Sequence, residues 1–392
     1  MSHSAKLYAT QEERLMTANQ NSRNTFRANS QPQTPKLPNS QTPTDTLIEV
    51  ANLRTYFHLA EGVVHAVDGV DLTIKRGQTI GIVGESGCGK SITAHSILRI
   101  VPTPGRIESG QILYYQASAA SAGAPSTPAE AIDLVQLKPN GQEIRDIRGN
   151  QISMVFQEPM TALSPVLTVG RQITEAIILH QQVSKAEARE TAIDMLARVK
   201  MPNPERIIDN YPFELSGGMR QRAVIAMALS CTPSLLIADE PTTALDVTTE
   251  AQILDLMRSI QEDLGMAIMY ITHNLGVIAE MAIEVAVMYL GKIVEQAGVR
   301  SIFFNPWHPY TRGLLKSIPH LDDVVETDRA KRRLWTIEGV VPDPYTRLRG
   351  CTFHPRCPDF IAGVCDQVEP KVIEVEPGHI VRCHLYNSTV VG

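Results

Sequence analysis

The 392-residue sequence contains no run of about 18 consecutive apolar residues, which excludes an ordinary membrane-spanning helix. The richest stretch, Met266 to Leu290, is broken by His273, Asn274, Glu280 and Glu284. The first residues (MSHSAKLYATQEERLMTANQ) lack the apolar segment of a secretory signal. An excess of positive charge is also missing. Lys and Arg total 36 against 42 Asp and Glu, a net charge of -6, so no general nucleic-acid surface is expected. Cysteine is scarce, with six in the whole chain. The absences together place the protein in the cytosol, where a disulfide framework is not expected.

What is present is ordinary globular material, 43% hydrophobic and 20% charged, enough for about two to three domains. Residues 1 to about 46 are rich in Ser, Thr, Asn, Gln and Pro and read as a disordered polar tail. Gln116 to Ala131 (QASAASAGAPSTPAEA) reads as a low-complexity surface insertion. Between about 47 and 300, strands alternate with helices, which predicts an α/β core with a mainly parallel sheet. Its strand-length apolar runs are Thr79 to Val83, Ser234 to Ala238 and Met266 to Ile271. Residues from about 161 to 230 are mostly helical and are expected to form an inserted helical subdomain. Ser184 and Glu187 mark a capping box there, ahead of an apolar stripe of Ala188, Ala192, Met195 or Leu196, and Val199. From 301 to 392, Pro and Cys become frequent and long periodic helices stop, which predicts a small C-terminal domain.

Gly84-Glu85-Ser86-Gly87-Cys88-Gly89-Lys90-Ser91 fits the phosphate-binding pattern G-x-x-x-x-G-K-[ST]. Glycines let backbone N–H groups turn onto phosphates, and the following helix N-terminus favours negative charge. Lys90 is expected to reach the β- and γ-phosphates of ATP, and the Ser91 hydroxyl to ligate Mg²⁺. LLIADE, residues 235–240, is an apolar strand ending in two acids. It predicts Asp239 at a sheet edge holding Mg²⁺ and Glu240 polarising the attacking water as general base. Ser216-Gly217-Gly218, just before a helix-compatible segment, is a second potential anion site.

With LSGGMRQ added to these motifs, the sequence resembles the nucleotide-binding subunit of an ATP-binding-cassette transporter, an ABC ATPase on a P-loop NTPase core. Met219 stands where that family most often has Gln. The resemblance implies that Ser216, Gly217, Gly218 and Asp246 complete the ATP site of an opposing subunit. It implies that Gln157 senses Mg²⁺ and the γ-phosphate, that His273 is a catalytic switch histidine, and that Phe57, with Tyr56 as runner-up, stacks on adenine. IVGESGCGKS, VFQEPMTALSPVLTVG, LLIADEPTTALDVTTEAQIL and the His308-Pro309-Tyr310 segment narrow the resemblance to the oligopeptide/dipeptide importer branch. The implied function is a peripheral ATPase on the cytoplasmic face of the inner membrane, driving peptide uptake. Implied partners are two integral permease subunits, a second, related but different ATPase chain, and, indirectly, an extracytoplasmic peptide-binding protein. Nickel or another small solute is the alternative cargo, and a soluble ABC ATPase acting on nucleic acid is a rival of another class.

Cys351, Cys357, Cys365 and Cys383 are spaced C-x5-C-x7-C-x17-C. The spacing alone leaves zinc, an iron–sulfur cluster and unligated thiols open. The resemblance implies a [4Fe–4S] cluster on these four residues, with Zn²⁺ as the alternative and His354, His379 and His384 as substitute ligands. The site is expected to be structural or regulatory, its distance in sequence from the phosphate loop implying no part in hydrolysis.

Overall fold

A computed structural model describes residues 45–116, 131–157, 162–243, 245–318 and 336–387. The expected polar tail up to residue 44, and residues 117–130 of the expected insertion, lie outside the described residues. In chain order the strands are β1 (Thr46–Leu59), β2 (Gly62–Lys75), β3 (Thr79–Val83), β4 (Gly105–Tyr115), β5 (Ala131–Asp133), β6 (Ile152–Val155), β7 (Leu235–Asp239), β8 (Ala267–Ile271), β9 (Glu284–Tyr289), β10 (Lys292–Gly298), β11 (Val372–Glu376) and β12 (His379–Arg382).

The short apolar runs become central strands because they are buried on both faces, as parallel strands require. β3, β7 and β8 are buried at every position. They lie in an eight-stranded sheet of order β11-β12-β10-β9-β3-β8-β7-β6, parallel from β9 through β3, β8 and β7 to β6. The two-residue period of a strand divides its side chains between the faces. Leu235 and Ile237 join one core with Ile80, Ile82, Met269 and Ile271. Leu236 and Ala238 join the other with Val83, Ile268 and Tyr270.

The first face is covered by the helix Lys90–Ile97 and by the antiparallel sheet β2-β1-β4-β5, whose Leu47, Ile48, Leu53 and Ile112 are buried there. The second is covered by helices that include Val169–His180, Lys185–Arg198 and Gly217–Leu229. These three occupy the chain between β6 and β7. Ser184 caps the second of them as the sequence predicts, accepting from the Glu187 N–H at 3.3 Å while the Glu187 carboxylate accepts from the Ser184 N–H at 2.8 Å.

The described residues after Gly298 pack into the cores of the main body. Their β12 pairs with β10 and extends the main sheet. Tyr310, Cys351, Phe353 and Cys365 pack into the same core as the helices. The join depends on Glu295, which is fully buried on β10. Its carboxylate accepts from the N–H groups of Trp307 and His308 at 2.7 and 2.9 Å and meets the His379 ring nitrogen at 2.7 Å. Glu295→Ala leaves these buried groups unpaired and should lower stability by about 3 kcal/mol, with a smaller loss in Glu295→Gln, whose amide oxygen still accepts. Urea unfolding of the two variants checks this, and a loss near zero for Glu295→Ala would contradict it.

Candidate active site

The parallel strands bring their carboxyl ends to one edge of the sheet, where ligands bind in open α/β folds. β3 runs into the loop Gly84–Gly89, β7 ends on Asp239, β8 leads to His273 and β6 leads to Gln157. Segments far apart in sequence therefore meet at one place.

The loop needs its glycines for space as well as conformation. Gly84 has φ +154° and Gly89 has φ +105°, and a Cβ at these positions would lie 2.2 Å from the Met288 carbonyl oxygen and 2.1 Å from that of Ala66. Gly89 is the N-cap of the helix Lys90–Ile97 and supplies no side-chain cap, which leaves first-turn N–H groups available to an anion. Lys90 is buried, with its ammonium donating to the carbonyls of Gly84 at 2.8 Å and Glu85 at 3.1 Å. The cation thus sits inside the loop it would share with phosphates.

Asp239 is buried, and its Oδ1 has no hydrogen-bond partner. Burial pushes its carboxyl above the usual range, with the Glu240 charge adding to the rise and the Ser91 hydroxyl, His95 and Lys90 opposing it. An orphaned carboxylate oxygen near a serine hydroxyl fits Mg²⁺, a hard cation that takes one or two carboxylates together with phosphate oxygens. Ser91 and Asp239 would hold it, with nucleotide completing the shell.

Glu240 has φ +47°, and its carboxylate is held from three directions. Gln157 Nε2 and Thr243 Oγ1 each donate to Oε2 at 3.0 Å, while His273 Nδ1 lies 3.0 Å from Oε1. Burial alone would raise its carboxyl, but hydrogen bonds from His273 and Thr243 and the charges of His273 and Lys90 outweigh it. The group is ionised at neutral pH and can accept a proton. Gln157, Glu240 and His273 are therefore brought together as the sequence suggests. Thr243 and His95 were not foreseen. Thr243 lies three residues after Glu240. His95 lies four after Ser91, on the same helix face, and burial holds its imidazole below its ordinary range.

The remaining expected residues lie elsewhere. Ser216 caps the helix Gly217–Leu229, accepting from the Met219 N–H at 3.3 Å. Asp246 caps Val247–Leu264, accepting from the Thr249 N–H and hydroxyl at 3.0 and 2.7 Å. A Cβ on Gly218 would come within 2.8 Å of the Thr249 methyl, so the two caps are neighbours. Ser216, Gly217 and Asp246 are exposed. On β1, the Tyr56 hydroxyl donates to Asp68 at 2.8 Å, whereas the half-buried Phe57 ring lies against Gly105 and Val101.

The cysteines form a separate neighbourhood. Cys351, Cys365 and Cys383 are buried and Cys357 is half-buried. Burial pushes the Cys351 thiol up and those of Cys357 and Cys383 to about 12; the Cys365 charge adds to all three rises, that of Cys351 to the rises of Cys357 and Cys383, and that of Cys357 to the rise of Cys383. Among the described residues, no three or more His, Cys, Asp or Glu side chains take positions that could hold one metal ion. This arrangement supports neither the expected cluster nor its zinc alternative. Its substitute histidines are committed to other partners: His354 to the Cys351 carbonyl at 2.8 Å, His379 to Glu295 and His384 to the Val368 carbonyl at 2.7 Å.

A family profile described as ABC transporter matches residues 67–243, and one described as oligopeptide/dipeptide transporter, C-terminal region, matches residues 294–365. A probable peptide ABC transporter ATP-binding protein of Sinorhizobium fredii is 48% identical over 348 residues, 88% of this chain and 97% of the relative. The chain belongs to the ABC transporter ATP-binding family. The oligopeptide transport ATP-binding protein AppD of Bacillus subtilis is 47% identical over 88% of the chain and 98% of its own length. The dipeptide transport ATP-binding protein DppD of the same organism is 44% identical over 88% and 96%. Among solved structures, the dimeric cassette MJ0796 in a post-hydrolysis state with ADP and Pi is 26% identical, with a TM-score of 0.55 over 65% of this chain and 99% of that one. The cassette carries its acids, phosphate loop and histidine at one edge, so binding and chemistry should separate by mutation. Lys90→Ala should lose most ATP affinity, and Glu240→Gln should keep ATP bound while slowing hydrolysis roughly 10²-fold. Equilibrium ATP binding and steady-state phosphate release distinguish them, and unchanged turnover by Glu240→Gln would remove the base assignment.

Proposed function

We propose that this cassette is the ATP-hydrolysing subunit of a membrane ABC importer that takes up di- or oligopeptides. The observation that carries the ATPase part is the convergence of Lys90, Ser91, Asp239, Glu240, Gln157 and His273 at one sheet edge. The peptide cargo is supported by relatives named for peptide, oligopeptide and dipeptide transport. No helix among the described residues is long and apolar enough to cross a membrane, so transport on this reading requires separate membrane-embedded subunits. Two permease chains would meet the cassette near the Gln157 loop on the cytoplasmic face, and a peptide-binding protein would act on the far side.

Two cassettes pair head to tail in this reading, the second an identical or related chain. Ser216, Gly217, Gly218 and Asp246 then face the nucleotide held by the partner. The exposure of Ser216, Gly217 and Asp246 favours this role. Phe57 is the aromatic for adenine, because the Tyr56 hydroxyl is already bound to Asp68. Ser216→Arg should abolish turnover by the assembled transporter and leave ATP binding to the isolated full chain nearly intact. Equal loss of binding by the isolated chain would argue against the trans role.

For Cys351, Cys357, Cys365 and Cys383, we propose a [4Fe–4S] cluster. A single zinc, with Zn–S near 2.3 Å, draws its sulfurs within about 4 Å of one another. A cubane takes each thiolate at a separate iron, and the support here is four cysteines near enough for their charges to act on one another. Such a cluster would supply a redox-sensitive crosslink within the C-terminal segment. Anaerobically purified protein should contain about four irons per chain, whereas one equivalent of zinc or no metal would reject the cluster.

A further inference from the structure

The phosphate loop is held from outside by the C-terminal segment. Glu85, its second residue, is the contact point. Its N–H donates to the Tyr310 hydroxyl at 2.9 Å, across 225 residues of sequence. Its carboxylate receives both arms of the Arg356 guanidinium, Nη1 to Oε2 at 2.7 Å and Nη2 to Oε1 at 3.1 Å, across 271 residues. The Arg356 side chain is only 4% exposed and that of Glu85 28%, so this two-pronged pair is largely withdrawn from water and is among the stronger kinds of contact.

The two clamping residues are themselves fixed. Arg356 Nε donates to the Glu338 carbonyl at 3.2 Å, and Nη1 also reaches the Tyr289 hydroxyl at 3.4 Å. The Tyr310 ring packs 4.6 Å from that of Tyr289 and 5.4 Å from that of Phe353, centroid to centroid. All three rings are buried. The clamp is therefore held firmly on the C-terminal side and is hydrogen-bonded to the loop through Glu85.

We propose that Arg356 and Tyr310 are positioning residues of the ATP site, holding the phosphate loop in its binding shape and neutralising Glu85 beside the incoming phosphates. This rests on the assignment of Gly84–Ser91 as the phosphate loop. Two physical effects follow. Lys90 now bonds to the carbonyls of Gly84 and Glu85, and when it turns to phosphate the loop loses those contacts and depends on the clamp. A loop already ordered also loses less freedom on binding. In addition, an unpaired Glu85 would present a negative charge close to the triphosphate, so losing Arg356 leaves a repulsion as well as a looser loop.

The test uses the assembled transporter for ATPase kinetics and the full chain for Mg-ATP binding. Tyr310→Phe keeps the ring and removes only the acceptor, and should raise the KM for ATP about threefold to tenfold with kcat nearly unchanged. Arg356→Gln should raise KM by roughly tenfold or more. Adding Glu85→Gln to Arg356→Gln should recover several-fold of the lost affinity, because the unpaired charge is gone. A merely structural role would lower kcat and thermal stability together and give no recovery. Unchanged KM in both single variants, or a double variant weaker than Arg356→Gln alone, would overturn the inference. Lys90→Ala serves as the control. If it binds ATP like the unaltered chain, the loop assignment itself fails; if it does not bind while the clamp variants bind normally, only the clamp fails.

Discussion

The carboxylate of Glu240 is where the site is tied together. It accepts from Gln157 and Thr243 and is paired with His273, groups delivered by the ends of β6, β7 and β8. The contacts to Gln157 and His273 are unavailable to an isolated segment, because those strand ends reach the edge only when the parallel sheet is complete. The sheet is complete only when both faces are covered, since β3, β7 and β8 expose nothing. Burial of apolar strands is thus the driving term, and the placement of the acids, amide and imidazole is its geometric consequence. The left-handed backbone of Glu240 fits this view, since a non-glycine residue keeps such a conformation only where its surroundings over-determine it.

Electrostatics divides the labour between the two neighbouring acids. Asp239 lies deeper, with one orphaned oxygen and a carboxyl raised by burial, which is an environment that a cation relieves. Glu240 is shallower and its carboxyl is lowered, because the hydrogen bonds and positive charges around it outweigh burial. Two adjacent carboxylates with opposite shifts suit one metal-holding and one proton-accepting role. The C-terminal segment adds a second layer to this arrangement. Through Glu295 it is locked to β10, and through Arg356 and Tyr310 it reaches the phosphate loop. Arg356, which makes the contact to Glu85, directly precedes Cys357 in the chain.

Local features were legible in the sequence. The glycines of residues 84–89, the strand before them and the helix after them belong to one short stretch, and the capping box at Ser184 spans four residues. Asp239 and Glu240 could be placed because an apolar strand points at them. Long-range partners could not be read this way. Nothing in the pattern around Arg356 indicates a bond to Glu85, 271 residues away, and nothing around His379 indicates that it serves a buried glutamate rather than a metal. Pro and Cys content points to a small C-terminal domain but not to β12 joining the main sheet by pairing with β10, a choice set by tertiary packing.

The central claim is that one sheet edge binds a nucleotide together with a divalent cation through Ser91 and Asp239. Electron–nuclear double resonance on the full chain with Mn²⁺ in place of Mg²⁺ tests it most directly. The account predicts a Mn²⁺ signal that requires ATP, shows coupling to phosphorus, and is strongly weakened in Asp239→Asn. Mn²⁺ bound without nucleotide, or bound with ATP but unaffected by Asp239→Asn, would contradict it.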